Sequence, residues 1–129
     1  EDDLRIKGLL PQLSLNGIKI KGDFYWLSEA FLNIIKNFSD LYPKVKNISI
    51  SAKDNAVYTQ VSFENDGPEI PASDLKTIFR RFYKGQTNEG NGFGIGLAMS
   101  QTILKKHNAE IRAENTNSGT VFIVKFYKE

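Results

Sequence analysis

The sequence contains no cysteine, one histidine, one methionine and one tryptophan among its 129 residues. Without cysteine the chain forms neither a disulfide framework nor a thiolate metal site, which fits a reducing compartment and a cytoplasmic location. No apolar run approaches the roughly 20 residues that a membrane-spanning helix requires, and no signal peptide is recognisable. We therefore expect no direct membrane contact. If the parent protein is membrane-bound, its anchor lies outside this chain.

An excess of charge of one sign is also lacking. Seventeen basic and fifteen acidic side chains leave a formal net charge of +2, and the basic residues are scattered among the acidic ones. Nucleic-acid-binding proteins usually concentrate Lys and Arg on one face, so no nucleic-acid interface is expected. With 40% hydrophobic residues, the chain is typical of a globular domain that buries a core. We interpret residues 1–129 as one domain, in which residues 1–22 form a shortened N-terminal segment.

Hydrophobic periodicity predicts helices and strands in mixed order. Apolar residues at steps of three and four predict helices over residues 24–42, 72–83 and 95–107, with a further short helix and connector in residues 1–16. Alternation and β-branched residues predict strands over residues 17–23, 47–53, 56–63, 110–115 and 120–127. This order predicts an α/β two-layer sandwich. Its sheet would be mixed and mostly antiparallel, with helices packed on one face and the other face partly solvated.

The polar loop of residues 84–92 leads directly into a predicted helix, with glycine at every second position from Gly90 to Gly96. Glycines allow close backbone approach, and the helix that follows presents unpaired N–H groups, so the stretch favours an anion site, most simply for phosphate. A P-loop is excluded, because Asn91 and Gly92 stand where it needs Lys and Ser or Thr. A dinucleotide-binding fingerprint is excluded, because the loop does not follow a strand. A flexible loop before a helix remains the alternative.

Asn33 and Asn37 lie one turn apart on the polar face of the first long helix, with Glu29 one turn earlier. Asparagine is a poor helix former, so two of them on one face favour a functional face over a merely solvated one. An amide oxygen is a suitable ligand for Mg²⁺, which bridges to nucleotide phosphates. The stretch FENDGPEIP, residues 63–71, is by itself an ordinary turn after a strand. It becomes a candidate part of the site only because it lies between the asparagine helix and the glycine loop in the sequence.

The order of these stretches resembles the ATP-binding catalytic domain of bacterial sensor histidine kinases, in the GHKL superfamily with its Bergerat-type fold. The resemblance covers residues 23–127. WLSEAFLNIIKN is similar to the N box, NDGPEIP to the first glycine box, IFRRFYKG to the F box, and GFGIGLAMSQTI to the second glycine box. SGTVFIVKF is similar to the closing strand of the family. Each box alone is a weak signal, but four in order are a strong one.

The resemblance implies ATP and Mg²⁺ as cofactors and assigns roles to matched positions. Asn37 would coordinate Mg²⁺, Asn33 would support the same face, and Lys84 would approach the terminal phosphate as the third catalytic residue. Asn65 stands where the family usually has an aspartate that receives the adenine amino group. The other implied nucleotide-binding residues, which include the phosphate-cradling glycines and the adenine pocket, are Gly67, Ile70, Phe82, Gly92, Gly94, Ile95, Gly96, Leu97 and Thr120.

The implied function is transfer of the γ-phosphoryl group to a histidine on a separate dimerisation domain of the same kinase. The full-length kinase would then serve a response regulator. Hydrolytic relatives have a general-base glutamate where this chain has Asn33, and the F box is kinase-like, so a hydrolytic ATPase or a soluble serine kinase is less favoured. His107 lacks a phosphoacceptor pattern around it. The isolated chain, expected to be monomeric, would therefore bind ATP without phosphorylating itself.

Departures from the family pattern define the alternative function. Glu69 replaces the second glycine of the first glycine box, and Phe38 replaces the small residue usual after the N box asparagine. Asp40 and Leu41 replace residues that are usually basic or aromatic. The segment before Asp23 is short for the additional strand that the family has there. The alternative is a degenerate GHKL domain that binds nucleotide weakly and acts as an interaction or scaffolding module.

Overall fold

The computed structural model describes residues 12–14, 17–39, 45–80 and 93–128. Within them, the helices α1 (Phe24–Ser39) and α2 (Phe93–Lys106) pack on one face of a five-stranded sheet. Its strands are β1 (Gln12–Ser14), β2 (Ile48–Asp54), β3 (Tyr58–Asn65), β4 (Ala109–Asn115) and β5 (Thr120–Tyr127). They are ordered β1-β2-β3-β5-β4, with β1 parallel to β2 and the other pairs antiparallel. The predicted two-layer α/β sandwich with a mixed, mostly antiparallel sheet is therefore confirmed.

Helix α1 begins where the sequence predicts, because the carboxylate of Asp23 accepts a hydrogen bond from the Trp26 N–H at 3.0 Å. Its apolar stripe enters the core, where the fully buried side chains are Ala30, Ile34, Ile35 and Phe38. The Phe38 ring packs edge-on against Phe122 of β5, with the ring centroids 5.1 Å apart. This contact places the C-terminal half of α1 on the sheet. No helix among the described residues is long and apolar enough to cross a membrane.

The sheet has one face in the core and one face open to water. Side chains of the core face on the two central strands are Val61, Phe63, Phe122, Val124 and Phe126. On the opposite face the Lys125 ammonium lies 4.7 Å from the centre of the Tyr58 ring. The Tyr127 hydroxyl donates to the Glu110 carboxylate at 2.7 Å, and this hydrogen bond raises the pKa of Tyr127. The alternation predicted for these strands is confirmed, as is the solvated outer face.

Hydrogen bonds connect α2 to α1 in the middle and at one end. The hydroxyl of the fully buried Ser100 donates to the Ala30 carbonyl at 2.7 Å. After the end of α2, Nε2 of His107 accepts the Asp23 N–H at 3.1 Å, and its Nδ1 bonds the Ile103 carbonyl at 2.9 Å. In this arrangement Nε2 of His107 is the acceptor and Nδ1 is the donor. His107 joins the last turn of α2 to the first turn of α1.

Residues 17–23 form no strand, so that prediction is wrong. The additional strand is β1 at Gln12–Ser14, which pairs with β2 and contradicts the predicted helix in residues 1–16 at those positions. The rest of that predicted helix lies outside the described residues. Gly22 lies close to His107, since a Cβ there would come within 2.5 Å of the His107 ring. Among the described residues, none of the five strands of the sheet pairs with this segment.

The helix predicted over residues 72–83 is also wrong where the structure describes it. A 3₁₀ turn at Ala72–Asp74 is followed by further turns as far as Arg80. The Asp74 carbonyl accepts the Thr77 N–H at 2.9 Å, the Ile78 N–H at 3.0 Å and the Thr77 hydroxyl at 3.2 Å, so only the bond from Ile78 has the four-residue spacing of an α-helix. Phe79 is nevertheless buried against Phe122, with 5.8 Å between the ring centroids. Burial in the core, and not helix formation, therefore holds this segment.

Candidate functional site

The asparagine face of α1 and the beginning of α2 lie side by side. Gly96 of α2 is so close to α1 that a Cβ there would lie 3.8 Å from Cγ of Asn33. The Asn33 amide donates to the Met99 sulfur at 3.7 Å, one turn further along α2. Asn37 lies half-buried one turn beyond Asn33 on α1. The packing of the two helices therefore brings together the predicted polar face and the second half of the glycine-rich stretch.

Asn37 is available as a metal ligand, but only as one ligand of several. No hydrogen bond holds its side chain to another residue in the described part of the chain. In the same part of the chain, no group of three His, Asp or Glu side chains gathers into a metal site. Mg²⁺ requires about six oxygen ligands in octahedral geometry. The donors present therefore fit an ion that arrives with phosphate oxygens and water, and they do not fit a metal bound by protein ligands alone.

A second cluster lies at one end of the sheet. Asn65 of β3 and Thr120 of β5 face each other in register, and both are buried. The Asn65 amide donates to the Thr120 hydroxyl oxygen at 2.8 Å. The Asn65 side-chain oxygen accepts the Gly67 N–H at 2.8 Å. Because an amide oxygen has two lone pairs, Asn65 can accept one further hydrogen bond, and the Thr120 hydroxyl keeps its proton to donate.

The two clusters lie at the same end of the domain. Phe38 directly follows Asn37 on α1, and its ring packs on Phe122 of β5. Phe122 is two residues from Thr120, and two residues of strand span about 7 Å. The junction of Asp23 with His107 lies at the opposite end, where β5 finishes. The buried pair of Phe38 and Phe122 therefore connects the helix that carries Asn37 to the strand that carries Thr120.

Asp66 fixes the loop that follows β3, a role that sequence reasoning missed. Its carboxylate accepts hydrogen bonds from the Lys46 N–H at 2.8 Å, the Asn47 N–H at 3.0 Å and the Asn47 amide at 2.7 Å. Desolvation raises the pKa of Asp66, but the hydrogen bonds from Asn47 and Lys46 outweigh it, so the net pKa is lowered. Asp66 thus bonds the segment before β2. Because Asp66 is engaged in this way, the acceptor beside Thr120 is the side-chain oxygen of the buried Asn65.

Two more residues of this region were missed because their partners are distant in sequence. The Asn115 side chain accepts the Ile70 N–H at 2.9 Å and donates to the Ile70 carbonyl at 2.8 Å. Gly119 lies against the chain after β3, where a Cβ would come within 2.8 Å of Asn65 C and Asp66 Cα. The closing SGT stretch was the one sequence signal for Gly119. No local pattern signals Asn115, since Ile70 is 45 residues away.

Where the structure describes the remaining predicted site residues, it gives their position in the fold. Leu97 is 3% exposed and belongs to the hydrophobic core, so it supports α2 from within. Gly94 and Ile95 lie in the first turn of α2. Phe38 is a core residue and Glu69 is exposed, so neither departure from the family pattern blocks the strand cluster. The predicted or questioned residues that lie outside the described part of the chain are Asp40, Leu41, Phe82, Lys84 and Gly92.

Residues 22–129 match the family described as histidine kinase-, DNA gyrase B-, and HSP90-like ATPase. Sporulation kinase C of Bacillus subtilis is 34% identical over 110 residues, which are 84% of this chain and 25% of that kinase. The chain thus spans about a quarter of this relative. The mycobacterial sensor histidine kinase MprB has a similar fold, with a TM-score of 0.80 at 19% identity over 92% of this chain and 83% of that one. Histidine kinase ThkA in complex with response regulator protein TrrA gives a TM-score of 0.76 at 23% identity, over 99% of this chain and 36% of that one.

Proposed function

The chain belongs to the histidine kinase-, DNA gyrase B- and HSP90-like ATPase family, and from this premise we propose that it is the ATP·Mg²⁺-binding catalytic module of a two-component sensor histidine kinase. It transfers the γ-phosphoryl group of ATP to a histidine on a separate dimerisation domain, and the full-length kinase serves a response regulator. The contact of Gly96 with Asn33 supports this most directly, because it joins the start of the glycine-box helix to the asparagine face.

The phosphate end of the site is formed by α1 and α2. Helix α2 begins at Phe93, and the N–H groups of its first turn, together with the positive end of its dipole, favour phosphate oxygens. Gly94 and Gly96 leave room for phosphate oxygens near this backbone. When bound, Mg²⁺ neutralises charge on the phosphates. Asn37 supplies an amide oxygen to the ion, Asn33 holds the neighbouring surface, and Lys84 is assigned to the terminal phosphate.

The base end of the site is formed by Asn65 and Thr120. The free lone pair of the Asn65 oxygen accepts the adenine amino group, and the Thr120 hydroxyl donates to a ring nitrogen or to a water between them. Gly67 leaves the backbone open beside the base, and Ile70 contributes an apolar contact. An amide accepts more weakly than a carboxylate. The affinity for ATP is therefore expected to be lower than with an aspartate at position 65.

The phosphoacceptor comes from outside this chain. His107 is the single histidine of the sequence, and both of its ring nitrogens are engaged, with Asp23 and with Ile103. It lies at the end of α2 that is remote from Asn37. A general base that activates water is not needed for transfer to an imidazole, because positioning and charge stabilisation dominate phosphoryl transfer. The presence of Asn33, in place of a carboxylate, agrees with transfer to a protein acceptor.

The first test is a calorimetric titration of the folded domain with ATP, with and without Mg²⁺. We expect Mg²⁺-dependent binding that Asn37→Ala weakens by about tenfold or more, since it removes the one protein ligand of the ion. Glu29→Ala, on the same helix two turns earlier, is the matched control and should bind as the wild type does. Equal Mg²⁺ dependence in the wild type and in Asn37→Ala would contradict the role of Asn37.

The transfer step is tested with a separate dimerisation domain and γ-labelled ATP. We expect label on the acceptor histidine only when this chain is added. If that dimerisation domain is phosphorylated by a related catalytic module but not by this chain, the kinase assignment is wrong. Absence of binding up to millimolar ATP would instead favour the alternative, a scaffolding module that binds nucleotide weakly, for which Glu69 in place of a glycine is a supporting feature.

A further inference from the structure

The loop of residues 66–71 carries Gly67 and Ile70, two of the proposed base-binding residues, yet it contains no helix or strand. Its position depends on side chains that reach it from the ends of strands. Asn65 bonds the loop at Gly67, and Asn115 bonds it at Ile70. We infer that Asn115 is a positioning residue that sets the base-binding end of the nucleotide site. This inference rests on the proposed function.

Asn115 bonds both polar groups of a single backbone residue. Its Oδ1 accepts the Ile70 N–H at 2.9 Å, and its Nδ2 donates to the Ile70 carbonyl at 2.8 Å. This pairing needs one acceptor and one donor side by side on a short side chain, which is what an asparagine amide provides. Alanine provides neither group. Aspartate has the same shape but is acceptor-only when ionised, so it would place a carboxylate against the Ile70 carbonyl oxygen.

The sheet fixes Asn115 in turn. It is the last residue of β4 and lies opposite Thr120 of β5, which lies opposite Asn65 of β3. Residues paired across neighbouring strands project from the same face of a sheet. The three residues therefore form a polar row across the strand ends. One end of this row holds Gly67 and the other holds Ile70, so the loop is attached to the sheet on both sides of the base-binding position.

The two attachments are not redundant. Between them the loop exposes Pro68 and Glu69 to solvent, while the Ile70 side chain packs against the core. Without the bonds from Asn115, the backbone polar groups of Ile70 lose their partners, and the hydrogen bonds that remain to hold the loop, at Asp66 and Gly67, lie at its N-terminal end. The resulting loss of affinity falls on contacts to the base. The phosphate end, built from α1 and α2, does not depend on this loop.

The experiment compares Mg²⁺·ATP with Mg²⁺·tripolyphosphate, a probe that has the phosphates without the base. Asn115→Ala should weaken ATP by about tenfold, since both hydrogen bonds that place Ile70 are lost, and should leave tripolyphosphate within about twofold. Asn115→Asp should weaken ATP at least as much, although it preserves the shape of the side chain. Asn117→Ala, the same change on an exposed residue of the following turn, is the matched control and should change neither probe.

Each other outcome excludes one of the two ideas. If the wild type binds ATP but Asn115→Ala binds it within about twofold, the positioning role is wrong and the proposed function stands. If Asn115→Ala weakens both probes equally, or if Asn115→Asp binds as the wild type does, Asn115 has a general packing role and the inference is wrong. If the wild type binds neither probe, the proposed function itself fails.

Discussion

Replacing Gly96 with alanine separates what the fold requires from what a bound phosphate would require. A Cβ at this position would lie 3.8 Å from Cγ and 3.9 Å from Oδ1 of Asn33, which is ordinary van der Waals contact. Gly96 also lies within α2, where alanine is favoured over glycine by about 1 kcal/mol in a helix interior. The folded protein therefore has no need of glycine here. The free energy of unfolding of Gly96→Ala should be unchanged or higher by up to about 1 kcal/mol.

The same methyl group should harm nucleotide binding. It would fill the space between the start of α2 and Asn33, where the backbone is proposed to approach the phosphates. A displacement of the phosphates by the width of a methyl group should weaken Mg²⁺·ATP by at least about tenfold, or about 1.4 kcal/mol. A more stable domain that binds ATP more weakly is a combination that general damage to the fold does not produce.

Urea denaturation followed by circular dichroism gives the stability, and calorimetry with Mg²⁺·ATP gives the affinity. Thr102→Ala, an exposed change two turns along α2, is the control for effects of the helix itself. If Gly96→Ala binds ATP as the wild type does, the phosphates do not lie against the start of α2. If Gly96→Ala is less stable by more than about 1 kcal/mol, the packing of Gly96 against Asn33 is tighter than the structure indicates.

Two further predictions concern the chain around the end of β3. Gly119→Ala should lower the free energy of unfolding by about 1–3 kcal/mol and weaken ATP binding. The reason is that the new Cβ would come within 2.8 Å of backbone atoms of Asn65 and Asp66, which cannot rotate away. A urea midpoint equal to that of the wild type would contradict this prediction. Asp66→Asn should lower the free energy of unfolding by about 1 kcal/mol at neutral pH, because an amide provides one acceptor oxygen for three donors. The loss is small because the Asp66 side chain is exposed and water screens it. Folding lowers the pKa of Asp66, so its contribution to stability is complete above its ordinary pKa of 3.8 and is lost as the pH falls through the lower pKa of the folded state. Acid titration of stability should therefore show a smaller loss for Asp66→Asn than for the wild type.

The sequence predicts the strongly periodic helices and strands because their apolar residues recur at the spacing of the face that each element buries. Helix α1 begins after its Asp23 cap, and its apolar stripe is the buried one. Strand β5 covers Thr120–Tyr127, the predicted range. Periodicity fails at three places, of which one is β1, where the sequence predicts a helix. The other two are residues 17–23, which alternate like a strand but form none, and residues 72–80, which have helical spacing but form a 3₁₀ turn and further turns.

The sequence predicts the motifs of the candidate site but not the hydrogen bonds that join them to distant parts of the chain. The sequence indicates Asn33 and Gly96, and the structure shows that they meet. Asn115 reads as an ordinary strand end, since its bond to Ile70 joins positions 45 residues apart. Asp66 reads as a turn residue, although its carboxylate bonds the chain around Asn47. Such contacts between distant segments follow from the sheet register, which composition and spacing leave open.

The junction of His107 with Asp23 has a consequence for the thermodynamics of nucleotide binding. Together with the bond from Ser100 to Ala30, it sets the relative position of α1 and α2 through contacts that involve no ligand. The proposed phosphate end of the site would therefore be pre-organised, and we expect the helices to lose little conformational entropy when a nucleotide binds. Related chains should therefore differ in affinity mainly through the segments outside helices and strands that become ordered when the nucleotide binds. The heat capacity change on binding should report the apolar area that those segments bury.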